Sequence, residues 1–217
     1  MKLNNKLISN LREDYRAQTL DITDVKKEPI EQFNIWFKEA LDSAVKEANA
    51  MTLATVNSEG QPAARIVLLK GFDKKGFVFY TNYNSKKGIE LVQNPKVALV
   101  FLWKELERQI RIEGVAKKIS VRQSTAYFHS RPKGSQIGAW ASPQSKIVES
   151  RSQLEKNYEE LKEKYKNKLI LPKPTHWGGY LIQPKLIEFW QGRSSRLHDR
   201  ICYTLQDKKW SIERLAP

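Results

Sequence analysis

MTLATVNSEGQPAARIVLLKGFDKKGFVFYTN, residues 51–82, is the stretch on which the fold turns. β-Branched and aromatic residues fill MTLATV, ARIVLLKGF and GFVFYTN, and the runs are separated by NSEGQP and DKKG, both rich in turn formers. Connections this short cannot carry a crossover helix, so adjacent strands are expected to run antiparallel. SKKGIELVQN follows as a short helix that Ser85 caps and Pro95 closes off, and VALVFLW and ERQIRIEGVAKKI return to strand. Five strands in about 70 residues predict a small antiparallel barrel.

Helices are expected on either side of these strands. Leu3, Leu7, Leu11 and Tyr15 recur every four residues and predict an amphipathic helix over 3–16, within an arm that spans 1–20. Pro29 opens a second helix with the stripe Ile30, Phe33, Phe37, Leu41, Ala44 and Val45. Further on, Ser120 caps VRQSTAYFHS, RPKGSQIGAWASPQS reads as a polar loop, and 149–167 reads as a charged, solvated helix. WGGYLIQP, LIEFWQG, RICYTLQ and WSIERL predict a last set of antiparallel strands, with DKK as a turn. The class is mainly β with helical additions (α+β), one domain over 21–217 after the arm.

Composition narrows the function. No apolar run approaches the roughly 20 residues that cross a bilayer, so no membrane partner is expected. The N-terminus lacks the apolar block of a signal peptide, and Cys202 is the only cysteine, so the expected location is cytoplasmic. His129, His176 and His198 show no metal-ligand spacing, and no metal is expected. The net charge of +14 is uneven: residues 1–50 hold 8 basic and 9 acidic side chains, the remainder 30 and 15. Without a basic tail or a nucleic-acid motif, small phosphorylated ligands explain that excess at least as well as nucleic acid. The chain also lacks Gly-x-Gly-x-x-Gly, P-loop and Gly-x-Ser-x-Gly motifs, which disfavours dinucleotide-fold dehydrogenases, NTPases and α/β-hydrolases.

Three clusters could carry chemistry. Arg65 and Lys70 bracket four aliphatic residues, a pattern that suits a core strand with wet ends as well as a ligand site. The next strand ends in YTNYNSKKG, where hydroxyls, two lysines and a helix N-terminus would favour a phosphate dianion. YFHSRPKGSQ spaces Tyr127, Arg131 and Ser135 by four, either a helix C-terminus with arginine on the carbonyl dipole or a second anion site. In EFWQGRSSRLHDR, residues 188–200, a strand over 196–205 would line up Arg196, His198 and Arg200 on one face and Leu197, Ile201, Tyr203 and Leu205 on the other. Such a cationic row requires an anionic or electron-rich neighbour, or a salt-bridge network with Glu188.

Taken in order, RIVLLK, FVFYTN with SKK, ERQ, YFHSRP with SQIGAW and QS, EFWQG, RLHDR and ERLAP resemble the pyridoxamine (pyridoxine) 5′-phosphate oxidase family over nearly the whole chain. The resemblance implies an FMN-binding split β-barrel homodimer with FMN at the subunit interface. It also implies the vitamin B6 reaction in which O2 oxidises pyridoxamine and pyridoxine 5′-phosphates to pyridoxal 5′-phosphate with release of H2O2. Carried over residue by residue, FMN contacts fall on Arg65, Ile66, Val67, Leu68, Leu69, Lys70, Tyr80, Thr81, Lys86, Lys87, Gln109, Gln144, Ser145, Trp190 and Arg200. Substrate contacts fall on Arg12, Tyr15, Lys70, Tyr127, Arg131, Ser135, Arg196, Leu197 and His198, with Arg12 and Tyr15 closing over the site. The resemblance implies catalytic parts for Arg196, which orients the pyridine ring, and His198, at its 3-hydroxyl, while Arg200 offsets charge on the reduced flavin. Lys86 stands where an arginine is common, Glu13 where some members have a second arginine, and Arg193 is given no role. Competing readings are another flavin oxidoreductase on the same barrel, a non-catalytic FMN or pyridoxal phosphate binder and, more distantly, a nucleic-acid binder.

Overall fold

A computed structural model describes residues 8–11 and 13–217. Among the described residues the strands are β1 (Ala50–Val56), β2 (Pro62–Leu68), β3 (Gly71–Asp73), β4 (Gly76–Asn82), β5 (Lys96–Trp103), β6 (Arg108–Lys118), β7 (Trp177–Gln191), β8 (Asp199–Gln206) and β9 (Lys209–Arg214). Among the described residues the helices of more than one turn are α1 (Pro29–Asp42), α2 (Lys86–Gln93), α3 (Val121–Ser130), α4 (Lys133–Ala141) and α5 (Arg151–Lys164). The strands join one sheet in the order β2-β1-β5-β6-β7-β4-β3, with β8 on β7 and β9 on β8. The opening stretch forms two antiparallel pairs, β1 with β2, where Leu53 faces Arg65, and β3 with β4. No helix of the described residues is long and apolar enough to cross a membrane.

Two compact units divide the chain. The central unit comprises 49–99 and 113–185, and the terminal unit comprises the residues up to Ala48, 100–112 and 186–217. In the central unit, β1 alternates inward and outward residues and buries Met51 and Leu53, while Phe77, Phe79 and Ile182 are sealed from solvent. Burying each such side chain contributes about 2–3 kcal/mol. Phe128, Ile137, Tyr165, Leu171 and Trp177 form a second cluster in this unit. In the terminal unit α1 buries Phe33, Trp36 and Ala40; Phe33 meets Phe101 edge-on at 5.3 Å and Trp36 meets Phe189 at 5.1 Å. Buried Arg108 lies 4.2 Å over the Trp36 ring and is satisfied by Glu39, Gln18 and Gln191.

Several expectations need correction. The polar loop expected over 131–145 contains α4, which buries Gln136, Ile137 and Ala141, because Ile137 has the Phe128 cluster to join and Ala139 and Trp140 pack against it. WGGYLIQP and LIEFWQG form one strand, β7, running through Pro184. The close backbone approach there is permitted by Gly114, where a Cβ would stand 2.4 Å from the Gln183 carbonyl oxygen. The helix expected over 3–16 is helical at Ile8 and Ser9 among the described residues, and Leu11 and 13–20 have no helix. Backbone donors of that segment bond outside it: Ala17 N–H to Glu107 Oε2 (2.9 Å) and Leu20 N–H to Asp199 Oδ2 (3.1 Å). Arg12 lies outside the described residues.

The expected strand over 196–205 begins only at Asp199. Ser194–Arg196 make a 3-10 turn in which Ser195 and Arg196 take left-handed φ values of 55° and 62°. Leu197 N–H closes the turn on the Ser194 carbonyl at 3.1 Å. Arg196, His198 and Arg200 therefore do not form a period-two row; Arg200 alone of the three belongs to a strand.

Candidate active site

A cavity of about 500 Å³ opens in the central unit, walled by β2, β4, α3 and the start of α4. It gathers Arg65, Ile66, Val67, Leu68, Lys70, Tyr80, Thr81, Lys87, Tyr127, Arg131, Ser135 and Gln144, so both anion clusters expected from sequence share one wall. Arg65 and Lys70, an odd number apart, reach it together because β2 ends at Leu68. Beyond that point Leu69 N–H bonds to the Asn49 carbonyl and Lys70 N–H to the Val78 carbonyl, and strict alternation stops. Leu69 itself is buried and adds no side chain to the wall. Lys86 and Ser145 line a separate cavity of about 340 Å³, beside Glu90 and Lys146.

The wall's electrostatics are one-sided. Among the described residues lining it there are four cations and no carboxylate. Lys87 Nζ donates to Gln144 Oε1 at 3.2 Å and Thr81 Oγ1 at 3.4 Å; burial, then the Arg65 charge, push its pKa down, and Glu90 opposes them. Arg131 Cζ lies 4.8 Å over the Trp177 ring, burial lowers its pKa, and its Nη1 is buried with no hydrogen-bond partner. A desolvated guanidinium N–H left open costs about 1–3 kcal/mol, a cost that an anion in the cavity would remove. Tyr80 and Tyr127 stack with centroids 3.8 Å apart, and Trp177 lies parallel to Tyr80 at 5.4 Å. Burial raises both tyrosine pKa values, so both hydroxyls stay neutral donors. Trp177 lines this cavity although sequence reasoning assigns it no role, the aromatic residue opening WGGY being the available signal, and Asn82, inside YTNYNSKKG, lines it as well.

The terminal unit holds a second set. Tyr15, Trp190 and His198 cluster, with His198 4.5 Å from Trp190 and Tyr15 5.8 Å and 5.9 Å from Trp190 and His198. Tyr15 and Trp190 also line a cavity of about 760 Å³ with Gln109 and Glu107. Gly192 lets Tyr15 lie against the β7 end, since a Cβ there would stand 2.8 Å from Tyr15 Cβ. His198 Nδ1 faces the Arg193 N–H at 3.1 Å and must accept, which leaves the proton of the neutral ring on Nε2. Burial and then Arg196 lower its pKa, and Asp199 opposes them. Arg193, given no role from sequence, thus fixes the His198 tautomer through its backbone.

Arg200 sits in a closed network. Its Nε and Nη2 donate to Glu188 Oε1 (2.8 Å) and Oε2 (3.1 Å), its Nη1 to the Ala216 carbonyl (2.7 Å), and Arg111 Nη1 also reaches Glu188 Oε2 at 3.0 Å. The hydrogen bond to Glu188 raises the Arg200 pKa. The salt-bridge alternative raised for the 188–200 stretch is what the fold adopts at Arg200. Arg196 and Leu197 are exposed.

Fold and site define an α+β split-barrel protein with a cationic cavity fit for a phosphorylated ligand. A family model described as pyridoxamine 5′-phosphate oxidase matches residues 37–165, and one described as the pyridoxine 5′-phosphate oxidase C-terminal dimerisation region matches 177–217. The chain belongs to the pyridoxine/pyridoxamine 5′-phosphate oxidase family. It is 57% identical over 210 residues to the pyridoxine/pyridoxamine 5′-phosphate oxidase of Acaryochloris marina, covering 97% of this chain and 95% of that one. The enzyme of the same name from Salinibacter ruber is 54% identical over 212 residues, 97% of this chain and 99% of that one. Among solved structures, PhzG from Burkholderia lata 383, in complex with tetrahydrophenazine-1-carboxylic acid, superposes with a TM-score of 0.88 at 28% identity, over 94% of this chain and all of that one.

Proposed function

We propose that this chain is a cytoplasmic homodimeric oxidase that converts pyridoxine 5′-phosphate and pyridoxamine 5′-phosphate to pyridoxal 5′-phosphate with FMN as its cofactor. Per turnover the alcohol and O2 give the aldehyde and H2O2; the amine, O2 and water give the aldehyde, H2O2 and NH3. The observation that carries the reading is the central cavity: four cations, no carboxylate among the described wall residues, and a buried Arg131 Nη1 without a partner. That donor set fits two phosphorylated ligands. Arg65, Thr81, Lys87 and Gln144 would hold the FMN phosphate, and Lys70, Tyr127, Arg131 and Ser135 the phosphate of the substrate.

FMN, when bound, supplies the two-electron acceptor that O2 returns to its oxidised form. The chain supplies position and charge. The Arg131 fork, set by Trp177, fixes the substrate phosphate, and the neutral Tyr127 hydroxyl adds a donor. His198 offers its Nε2–H to the 3-hydroxyl oxygen of the pyridine ring, while exposed Arg196 orients C4′. Tyr15, packed on Trp190 and His198, covers the ring and excludes water. Arg200 acts with Glu188 as a partly neutralised pair, a weaker source of positive charge than a free guanidinium.

Anaerobic addition of pyridoxine 5′-phosphate to the purified yellow protein is expected to bleach the flavin band near about 450 nm, and O2 to restore it. Absence of bleaching sinks the oxidase reading, and a colourless protein that retains RNA favours the nucleic-acid alternative. For the homodimer, the expected solution mass is twice the 25.2 kDa of the chain.

A further inference from the structure

Glu90 supplies the carboxylate that the central cavity's wall lacks. It lies on α2 with only 4% of its side chain exposed. Its Oε2 accepts from Thr55 Oγ1 at 2.5 Å and from Arg65 Nη2 at 3.2 Å, and Lys86 Nζ stands 4.0 Å from Oε1. Oε1 is buried and makes no hydrogen bond. A buried carboxylate is costly unless cations surround it, and an apolar residue would fill a core position at lower cost. Arg65, in turn, donates through Nη1 to the Leu53 carbonyl at 3.2 Å and to Thr55 Oγ1, so β1 and α2 together fix its orientation.

We propose that Glu90 is a positioning residue of the anion cradle: it grips Arg65 by one edge and offsets one of the two cations, Arg65 and Lys87, that the cradle presents. The cradle then meets a phosphate dianion with one net positive charge rather than two. This rests on the reading that the cradle takes the phosphate of FMN. Two uncompensated cations in a partly buried site repel one another, and burial together with Arg65 pushes the Lys87 pKa down. The titratable groups that share the cavity with Lys87 are Arg65 from β2, Lys70 beyond it, Tyr80 from β4, and Tyr127 and Arg131 from α3 and its C-terminal cap, while Lys86, next to it on α2, lines the other cavity. Glu90 is the carboxylate that reaches this set, through Arg65. It acts on Lys87 in the direction that keeps the ammonium charged, against burial and Arg65.

The test titrates FMN and riboflavin into the flavin-stripped full chain, the Glu90→Gln variant and the Glu90→Asp variant, by flavin fluorescence over a pH series carried upward from neutral until the parent's preference for FMN falls. In the parent, FMN binds more tightly than riboflavin, and its advantage shrinks once Lys87 loses its proton. In Glu90→Gln the shrinkage begins at lower pH, FMN weakens by about tenfold at the alkaline end, the order of one charge-assisted hydrogen bond, and riboflavin binds as before. An alkaline limb left where the parent has it overturns the proposal, as does equal weakening of FMN and riboflavin, which would mark a purely structural residue. Should Glu90→Gln fail to fold, Glu90→Asp carries the test: the limb stays in place because the charge is kept, while FMN weakens as the shorter carboxylate withdraws from Arg65. Unchanged FMN affinity in Glu90→Asp overturns the positioning role. A parent that does not distinguish FMN from riboflavin removes instead the reading of the cradle as a flavin phosphate site.

Discussion

Arg131 lies over Trp177, its Cζ 4.8 Å from the ring centroid, and the Nη1 it holds there is buried without a partner. Removing the ring leaves the charge but frees the fork. Trp177→Leu is expected to raise KM for pyridoxine 5′-phosphate by about tenfold, the scale of a desolvated cation–π contact, with little change in kcat. Arg131→Met removes the charge as well and should raise KM by about a hundredfold. Steady-state kinetics on both variants decide; an unchanged KM in Arg131→Met would remove Arg131 from the substrate site.

Tyr15 and Gly192 are in van der Waals contact, with no room for a methyl group between them. Gly192→Ala should therefore push Tyr15 off Trp190 and His198. The expected result is a fall of up to about a hundredfold in kcat/KM with FMN content unchanged, the loss expected when a positioning side chain is misplaced by about 1 Å. Parallel absorbance and activity measurements separate this from loss of cofactor.

His198 is expected to remain neutral below the ordinary histidine range, since burial and Arg196 both disfavour its proton. Its folded pKa is lowered, so the unfolded chain binds the proton first as pH falls. The stability gained from neutral His198 is full above the unfolded value and is lost as pH falls through the folded one. Arg196→Gln removes one of the two depressing causes and should move the His198 titration to higher pH. Proton NMR of the imidazole signals reads this directly, and an unmoved titration would contradict the assigned contact.

Glu188 is nearly sealed, 3% exposed, between Arg111 and Arg200. Glu188→Gln leaves the Arg200 fork without its counter-charge and should destabilise the fold by about 2–4 kcal/mol, allowing for the partial exposure of both arginines. Urea denaturation of parent and variant measures it. A loss near zero would mean that solvent already screens the network.

Much of the framework was legible because its causes are local. Short polar turns in residues 51–82 marked β1, β2 and β4, although ARIVLLKGF, read as one strand beside GFVFYTN, splits into β2 and β3, of which only β3 pairs with β4. Ser85 and Ser120 announced α2 and α3 by accepting from Gly88 and Gln123 backbone N–H groups. The errors fell where local signals yield to partners distant in sequence. RPKGSQIGAWA reads as a loop, but the Phe128 cluster gives Ile137, Ala139 and Trp140 a surface to pack against. LREDY follows a helical stripe, yet the segment after it bonds its backbone to Glu107 and Asp199. RLHDR alternates like a strand, but the left-handed Ser195 and Arg196 turn the chain before alternation can begin.

By itself the sequence determined the strand-forming runs of 51–82, the helix caps and clusters of residue types suited to phosphorylated ligands, since propensity, period and charge act over a few neighbouring residues. Only the tertiary structure decided which of those charges line the central cavity and which face each other. Arg65 and Lys70 share a wall because β2 stops at Leu68, Lys86 and Ser145 line a different cavity, and Arg200 is closed by Glu188 and the Ala216 carbonyl. The physical reason is that a buried charge takes its role from the partners that desolvation forces on it, and those partners come from strands and helices far along the chain.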